Sequence, residues 1–357
     1  MVTRRQAHRA VLGMLRDITG VRPPPAEMFR QCTDLLRESV GFDAVCWHLN
    51  DPVTGLIGTV QADGLDPRGF AQAVAMEYGA DDVATFVKIR QSGQPADALS
   101  QATQGRVDRS IRYRQQLASA GFGDELRANF DARGGRWGCA AFMRAPDRGF
   151  YTPHQLRLAR QVARELGAAL RDLHRPRGER GPYADHLPAT AVLGARNELL
   201  AADPAAQAII DELTEDEPGL AVPACFVVVA TEARRAYADR VTRPAKARVR
   251  DRGGAWLVVH ASLLDGRADG RVAVVVTAAS PVEVLPVVLT GYGLSGREQE
   301  VALAVVRGGS TSEIARALSL TNLTVQDHLK SIFQKTGVRS RRELIARLLA
   351  MAPPEIW

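Results

Sequence analysis

Apolar residues recur with two different periods along this chain, and the switches between them mark its parts. Near the N-terminus, Val11 to Ile18 and Met28 to Val40 carry helical spacing. Ala44–Leu49 then reads as a strand, residues 51–55 (Asp-Pro-Val-Thr-Gly) as a turn, and Leu56–Gln61 as a second strand, which predicts a hairpin. Helical spacing returns at Pro67–Tyr78, Asp81–Arg90 and Val107–Ala120, with residues 91–106, rich in Gln, Ser, Gly and Ala, as a loop. Asp124–Asp131 and Trp137–Met143 predict another strand pair around residues 133–135 (Arg-Gly-Gly). Thr152-Pro153 opens a long helix to about His174, with proline where its missing amide costs nothing.

Residues 174–188 have no period and hold three prolines and two glycines, which predicts a linker, set at 176–189. After it, Thr190–Leu193 and Glu198–Ala201 read as strands, and Asp203-Pro204 caps a helix through Leu213. Three strand runs follow, Lys246–Arg250, Ala255–Ser262 and Arg271–Ala278, separated by turn-forming segments at 251–254 and 265–270. No internal repeat is visible.

The last sixty or so residues return to helical spacing. Three Ser-x-x-Glu capping boxes, Ser295/Glu298, Ser310/Glu313 and Ser340/Glu343, each announce a helix start, and Thr321 or Asn322 provides a fourth. The first helix buries Val301, Ala304 and Val305 and stops at Gly308-Gly309. The second aligns Ile314, Ala315 and Leu318; the third aligns Val325, Leu329 and Ile332; the fourth shows Leu344, Ile345, Leu348 and Leu349. The middle pair has the layout of a helix-turn-helix, about 311–330. Opposite the apolar stripe of the third helix lie Gln326, Asp327, Lys330 and Gln334, with Thr324, His328, Ser331 and Lys335 on the flank. Gln, Asp and Lys can read base edges, and Thr, Ser and Lys can hold phosphates.

The segment Leu294-Ser-x-Arg297-Glu298-x-Glu300-Val301, Gly308, Ser312-Glu313-Ile314-Ala315, Leu318, Thr324-Val325-x-x-His328-Leu329-Lys330, Ile332, Lys335, Gly337-Val338 and Arg341 resembles the C-terminal DNA-binding domain of LuxR-type bacterial transcription regulators. Gly296 stands where the family often has proline, and Gln326 where it often has lysine. The resemblance implies double-stranded DNA as partner. Gln326, Asp327 and Lys330 are then expected on bases. Thr324, His328, Ser331 and Lys335 are expected on phosphates or groove walls, Thr311 and Ser312 offer amides to a phosphate, and Asn322 opens the bound helix. Exposed apolar residues of the last helix, such as Leu348, are expected to pair two copies.

Residues 1–175 resemble a GAF domain, most clearly over Gly138–Leu170, and residues 190–285 resemble a PAS domain, most clearly over Thr190–Ile210. GAF domains bind small molecules or dimerise, so a small-molecule ligand there and a homodimer are expected; the PAS-like part either senses or only spaces. Trp47, Phe86, Trp137 and Phe142 either line a pocket or fill a core, and His48 and His154 are either ligands to haem or metal or structural residues.

Composition adjusts this picture only slightly. At 357 residues the chain exceeds one compact core, and 46% hydrophobic with 24% charged is ordinary for a globular protein. The net charge is +6. Residues 291–357 hold nine Lys and Arg against six Asp and Glu, so positive charge is densest in the DNA-binding segment. No apolar run approaches a membrane span, and the N-terminus reads as an amphipathic helix and not as a signal peptide. The four cysteines lack metal-ligand spacing and fit buried thiols in a reducing cytoplasm. No phosphate-binding glycine loop, hydrolase elbow or metalloprotease motif is present, and neither enzyme activity nor a cofactor is expected.

The expected fold class is multidomain: an α+β GAF-like sensor (1–175), an α+β PAS-like middle domain (190–285) and an all-α four-helix LuxR-type helix-turn-helix domain (290–352). The expected function is a cytoplasmic one-component transcription regulator. The alternatives are a signalling module that uses the helix-turn-helix for protein contact, and a redox or haem sensor.

Overall fold

A computed structural model describes residues 4–79, 81–173, 188–241 and 245–349. Helices α1 (Arg4–Gly20) and α2 (Pro25–Leu36) lead into the hairpin of β1 (Ala44–Asn50) and β2 (Ile57–Asp63). Asp51 makes its turn, accepting the amides of Val53 at 2.9 Å and Thr54 at 3.4 Å. Then come α3 (Phe70–Gly79), α4 (Phe86–Gln91), β3 (Ala96–Ala98), α5 (Leu99–Ala102), β4 (Asp124–Ala132), β5 (Gly135–Arg144) and α6 (Pro153–Leu173). The strands form one antiparallel sheet in the order β2-β1-β5-β4-β3.

Three expectations fail here. The helix expected over Asp81–Arg90 begins only at Phe86, with Thr85 as its cap. The presumed loop at 91–106 contains β3 and α5, whose few small apolar residues leave too short a pattern to read. The presumed helix at 107–120 is a 3-10 turn at Val107–Arg109 and a π turn at Tyr113–Leu117. The cause is Asp82, a buried carboxylate that accepts the amides of Ile111 and Arg112 and the hydroxyl of Ser110. Those bonds hold the backbone off the helical path.

One face of this sheet packs on α2 and α6 with Trp47, Phe130 and Phe142. Trp47 stacks on Phe29 at 5.1 Å and donates to Thr33 Oγ1 at 2.8 Å. Trp47, Trp137 and Phe142 are thus core. The other face is equally buried and mixed: Cys139, Ala141 and Met143 cluster there with Phe86, Ile89 and Leu117, beside a charged network. Glu125 binds Arg112 and Arg127, and Arg127 also binds Glu77, with every side chain at most 6% exposed. His48, Cys139 and Asn129 sit side by side across β1, β5 and β4. Phe86 covers them: its ring meets His48 edge-on at 5.9 Å, and its carbonyl accepts from Asn129 Nδ2 at 3.0 Å. His48 Nδ1 and Asn129 Oδ1 are buried with no hydrogen-bond partner among the described residues. Burial, helped by Arg127, lowers His48 to about 3, so its ring is neutral. Burial also pushes the thiols of Cys32 and Cys46 up to about 12, and those of Cys139 and Cys225 up as well. Protonated thiols are poor nucleophiles, which argues against redox sensing.

A second sheet follows. Its elements are β6 (Ala189–Leu193), β7 (Leu199–Ala202), α7 (Pro204–Glu215), α8 (Ala224–Ala238), β8 (Ala245–Arg250), β9 (Trp256–Leu263) and β10 (Val272–Ala278), in the order β7-β6-β10-β9-β8. Counted within each unit, both sheets run second-first-fifth-fourth-third, a repeat of topology that the sequence hides. Asp203 caps α7 as expected, accepting from Ala206 N at 2.7 Å. Most of the expected linker, up to residue 187, lies outside the described residues; its last position, Ala189, already belongs to β6.

The units are joined at defined points. Helix α3 packs against α8, and the edge strand β2 faces β8. Gly58 lets the two strands approach closely: a Cβ there would meet Val249 Cγ1 at 3.0 Å, so the valine would have to shift by a few tenths of an ångström. Glu217, 3% exposed, accepts from Val60 N of β2 and from Ala224 N of α8, each at 2.8 Å. Asp51 Oδ2 accepts from Arg248 N at 3.0 Å and from its guanidinium at 2.8 Å. Arg248 Nε continues to the Glu283 carbonyl at 2.5 Å. Glu283 opens an unexpected helix, α9 (Pro281–Gly291), through a fourth capping box with Ser280. Helix α9 puts Val287 into the core of the first unit and Val284, Leu285, Val288 and Leu289 into the C-terminal core. No helix among the described residues is long and apolar enough to cross a membrane.

Candidate DNA-binding face

Four helices make the C-terminal unit: α10 (Gly296–Val306), α11 (Thr311–Ala317), α12 (Asn322–Thr336) and α13 (Arg341–Leu349). Capping boxes start α10 and α11, with Ser295 and Ser310 accepting the amides of Glu298 and Glu313. Thr321 caps α12, accepting from Thr324 N at 3.1 Å, and Gly337, at φ 70°, ends it in the left-handed region. Ser319, at φ 54°, makes the turn between α11 and α12. Near Ser340 the third box is altered: Ser340 accepts from Glu343 N, while Glu343 turns to the Arg339 amide.

Val325, Leu329 and Ile332 bury the inner side of α12 against Val301, Val305, Ile314 and Ala315. Leu344 and Leu348 close the same core. Leu348 is 2% exposed, so it is no dimer contact; the apolar stripe that suggested one faces inward. Ala304, expected to be buried, is only partly so, and Ala302 takes the inner position.

The outer side carries Asn322, Gln326, Asp327, Lys330 and Gln334, all exposed, flanked by Thr324 and His328, both half-buried. Two residues assigned to the flank have partners within the fold. Ser331 Oγ donates to Glu298 at 2.6 Å, and Lys335 Nζ reaches both oxygens of Glu298 at 2.6 and 2.8 Å. Burial alone would raise Glu298, but Lys335 and Ser331 outweigh it and hold the carboxyl at about 2. Glu298 is therefore ionised and clamps α10 to α12. Thr311 is likewise occupied: Arg341 donates to its hydroxyl at 3.0 Å and to the Gly309 carbonyl at 2.9 Å. The amides of Thr311 and Ser312 precede the first intrahelical bond of α11, made by Ile314 N to Ser310 O. Ser312 is exposed.

Comparison with known proteins agrees with this geometry. The family described as bacterial regulatory proteins, luxR family, matches residues 293–348. The spore germination protein GerE of Bacillus subtilis (strain 168) is 36% identical over 63 residues, which span 18% of this chain and 85% of GerE. The chain belongs to the LuxR family of bacterial regulatory proteins. The monoamine regulon transcriptional regulator of Klebsiella aerogenes is 41% identical over 63 residues, 18% of this chain and 26% of that regulator. Among solved structures, Escherichia coli SdiA is 14% identical with a TM-score of 0.32, covering 96% of each chain. A Vibrio cholera VqmA–ligand–DNA complex is 17% identical with a TM-score of 0.23, covering 48% of this chain and 88% of VqmA. As a LuxR-type helix-turn-helix protein, this chain is a DNA-binding transcription regulator.

Proposed function

We propose that this LuxR-type protein is a cytoplasmic one-component regulator whose helix α12 enters the major groove of an operator. Gln326, Asp327 and Lys330 read bases, Thr324 and His328 touch phosphates or groove walls, and the amides of Thr311 and Ser312 hold a phosphate at the start of α11. Ser331 and Lys335 serve mainly to position α12 through Glu298. The observation that carries the reading is the exposed polar side of α12, set opposite a buried Val325–Leu329–Ile332 stripe. A homodimer would set two such helices one turn of DNA apart, roughly 34–36 Å.

The region 1–175 is read as GAF-like, 190–285 as PAS-like, and 290–352 as the DNA-binding domain. The buried polar groups of the first sheet support a small polar effector in the GAF-like part, since His48 Nδ1 and Asn129 Oδ1 have hydrogen-bonding capacity to spare. The joints at Asp51–Arg248 and Glu283 support coupling of both sheet units to α9.

Lys330→Ala tests the reading. Binding to an operator selected from random DNA should weaken by about 1–3 kcal/mol with loss of discrimination at one base pair. Wild-type affinity should also fall steeply with added salt, as phosphate contacts release counterions. A salt-independent interaction, with Lys330→Ala unchanged, would move the helix-turn-helix to protein contact.

A further inference from the structure

The outer side of α12 carries one residue that neither the core nor a polar role explains. Leu323 is the second residue of the helix and is 69% exposed. At 100° per residue it lies nearly opposite the buried Val325–Leu329–Ile332 stripe. Lys330 and Gln334 follow it along the same line, seven and eleven residues on, and Gln326 and Asp327 flank it at i+3 and i+4. It is the apolar centre of an otherwise polar reading face. It also stands at the amino end, the part of a recognition helix that meets base edges.

A single exposed leucine is ordinary on a protein surface. Here its position gives it chemistry. In the major groove base pairs present polar atoms, and a T·A pair adds a methyl group, the 5-methyl of thymine. A leucine among groups that bind polar base atoms has that methyl as its matching surface. We infer that Leu323 packs on a thymine 5-methyl in each operator half-site and so selects T·A over C·G at that step. The inference rests on α12 being the recognition helix.

Replacing thymines one at a time by deoxyuridine, in an operator selected with the full-length protein, provides the test. That change removes one methyl and keeps every hydrogen bond. In wild type, one position per half-site should weaken binding about fourfold, the worth of one methyl-sized apolar contact. Leu323→Ala should bind thymine and deoxyuridine operators alike, with an unchanged melting temperature because the side chain is exposed. Leu323→Met should keep the preference. A flat deoxyuridine scan in wild type, or an equal penalty in Leu323→Ala, overturns the inference. If Lys330→Ala still weakens binding in that case, the recognition helix stands and only the methyl contact falls. If neither Leu323→Ala nor Lys330→Ala changes affinity or footprint, α12 is not the reading helix and both readings fall.

Discussion

The two sheets have the same strand order and opposite interiors. In the first, β4 is buried from Asp124 to Phe130 and β5 along its whole length, one face aromatic and the other holding a charged network beside a small apolar cluster. In the second, every buried strand position is alanine, valine or leucine, and the charged side chains of β8, Lys246, Arg248 and Arg250, are only partly buried at its rim. Turns and period-2 alternation set the hairpins, but the shared order depends on the first strand of each unit pairing with its fifth, a long-range contact. The difference lies in what each covered face holds. An Ala/Val sheet packs a helix closely, as α8 does here. A buried ion network costs desolvation that apolar packing would avoid. Its presence in the first unit sets that unit apart from the second, whose sheet interior is apolar and which packs between it and α9.

The largest expected effect tests that contrast directly. Arg127→Met leaves Glu77 and part of Glu125 buried without their cation, and should cost about 3–5 kcal/mol in urea unfolding. The double variant Arg127→Met/Glu77→Gln removes the stranded charge and keeps an acceptor for Phe86 N, so it should regain most of the loss. Recovery of stability with loss of effector response would show that the network serves binding; no recovery would make it structural. The matching cut in the second sheet is smaller. Val259→Ala, at a position with 0% exposure, should cost about 2 kcal/mol by lost transfer and cavity terms. A cost equal to that of Arg127→Met would erase the distinction between the units.

Much of this was legible in the chain, for a physical reason. Among the described residues, nine of ten strands begin or end within a residue or two of where alternation and turns put them, because a strand between turns leaves a local signature. The DNA-binding helices were legible through their caps, since capping boxes are also local. What failed to show was tertiary. The run Asp124-Glu125-Leu126-Arg127-Ala128-Asn129 looks like a strand with one wet face, and Glu77, Phe86 and Arg112, supplied from other segments, make that face dry. The clamp between Glu298 and Lys335 spans 37 residues and leaves no pattern. Helix α9 did leave one, the Ser280–Glu283 box, masked by the apolar run and Pro286 behind it. Leu323 carries no signal of its own, because an apolar residue in a helix ordinarily belongs to the core.

The effect that is smallest per step of the measurement is expected at the joint between the sheets, where neither pattern holds. Edge strand β2 would expose the Val60 amide, and Glu217 from the second unit covers it. Burial raises this carboxyl to about 8, from an ordinary 4.5, although the Ala224 and Val60 amides pull the other way. Below 4.5 both the folded and unfolded chains hold the proton. Between 4.5 and 8 the unfolded chain releases it while the folded chain keeps it, so stability falls as pH rises, by about 1 kcal/mol per pH unit, and levels off above 8. Glu217→Gln should remove that slope. The variant should be the less stable at pH 5, because an amide oxygen serves only one of the two N–H donors well, and should gain on wild type as pH approaches 8. Urea midpoints at pH 5, 6, 7 and 8 would show the two profiles converging or crossing. Parallel profiles would mean that water reaches Glu217, and that the first and second units are less tightly joined at β2 than either is within itself.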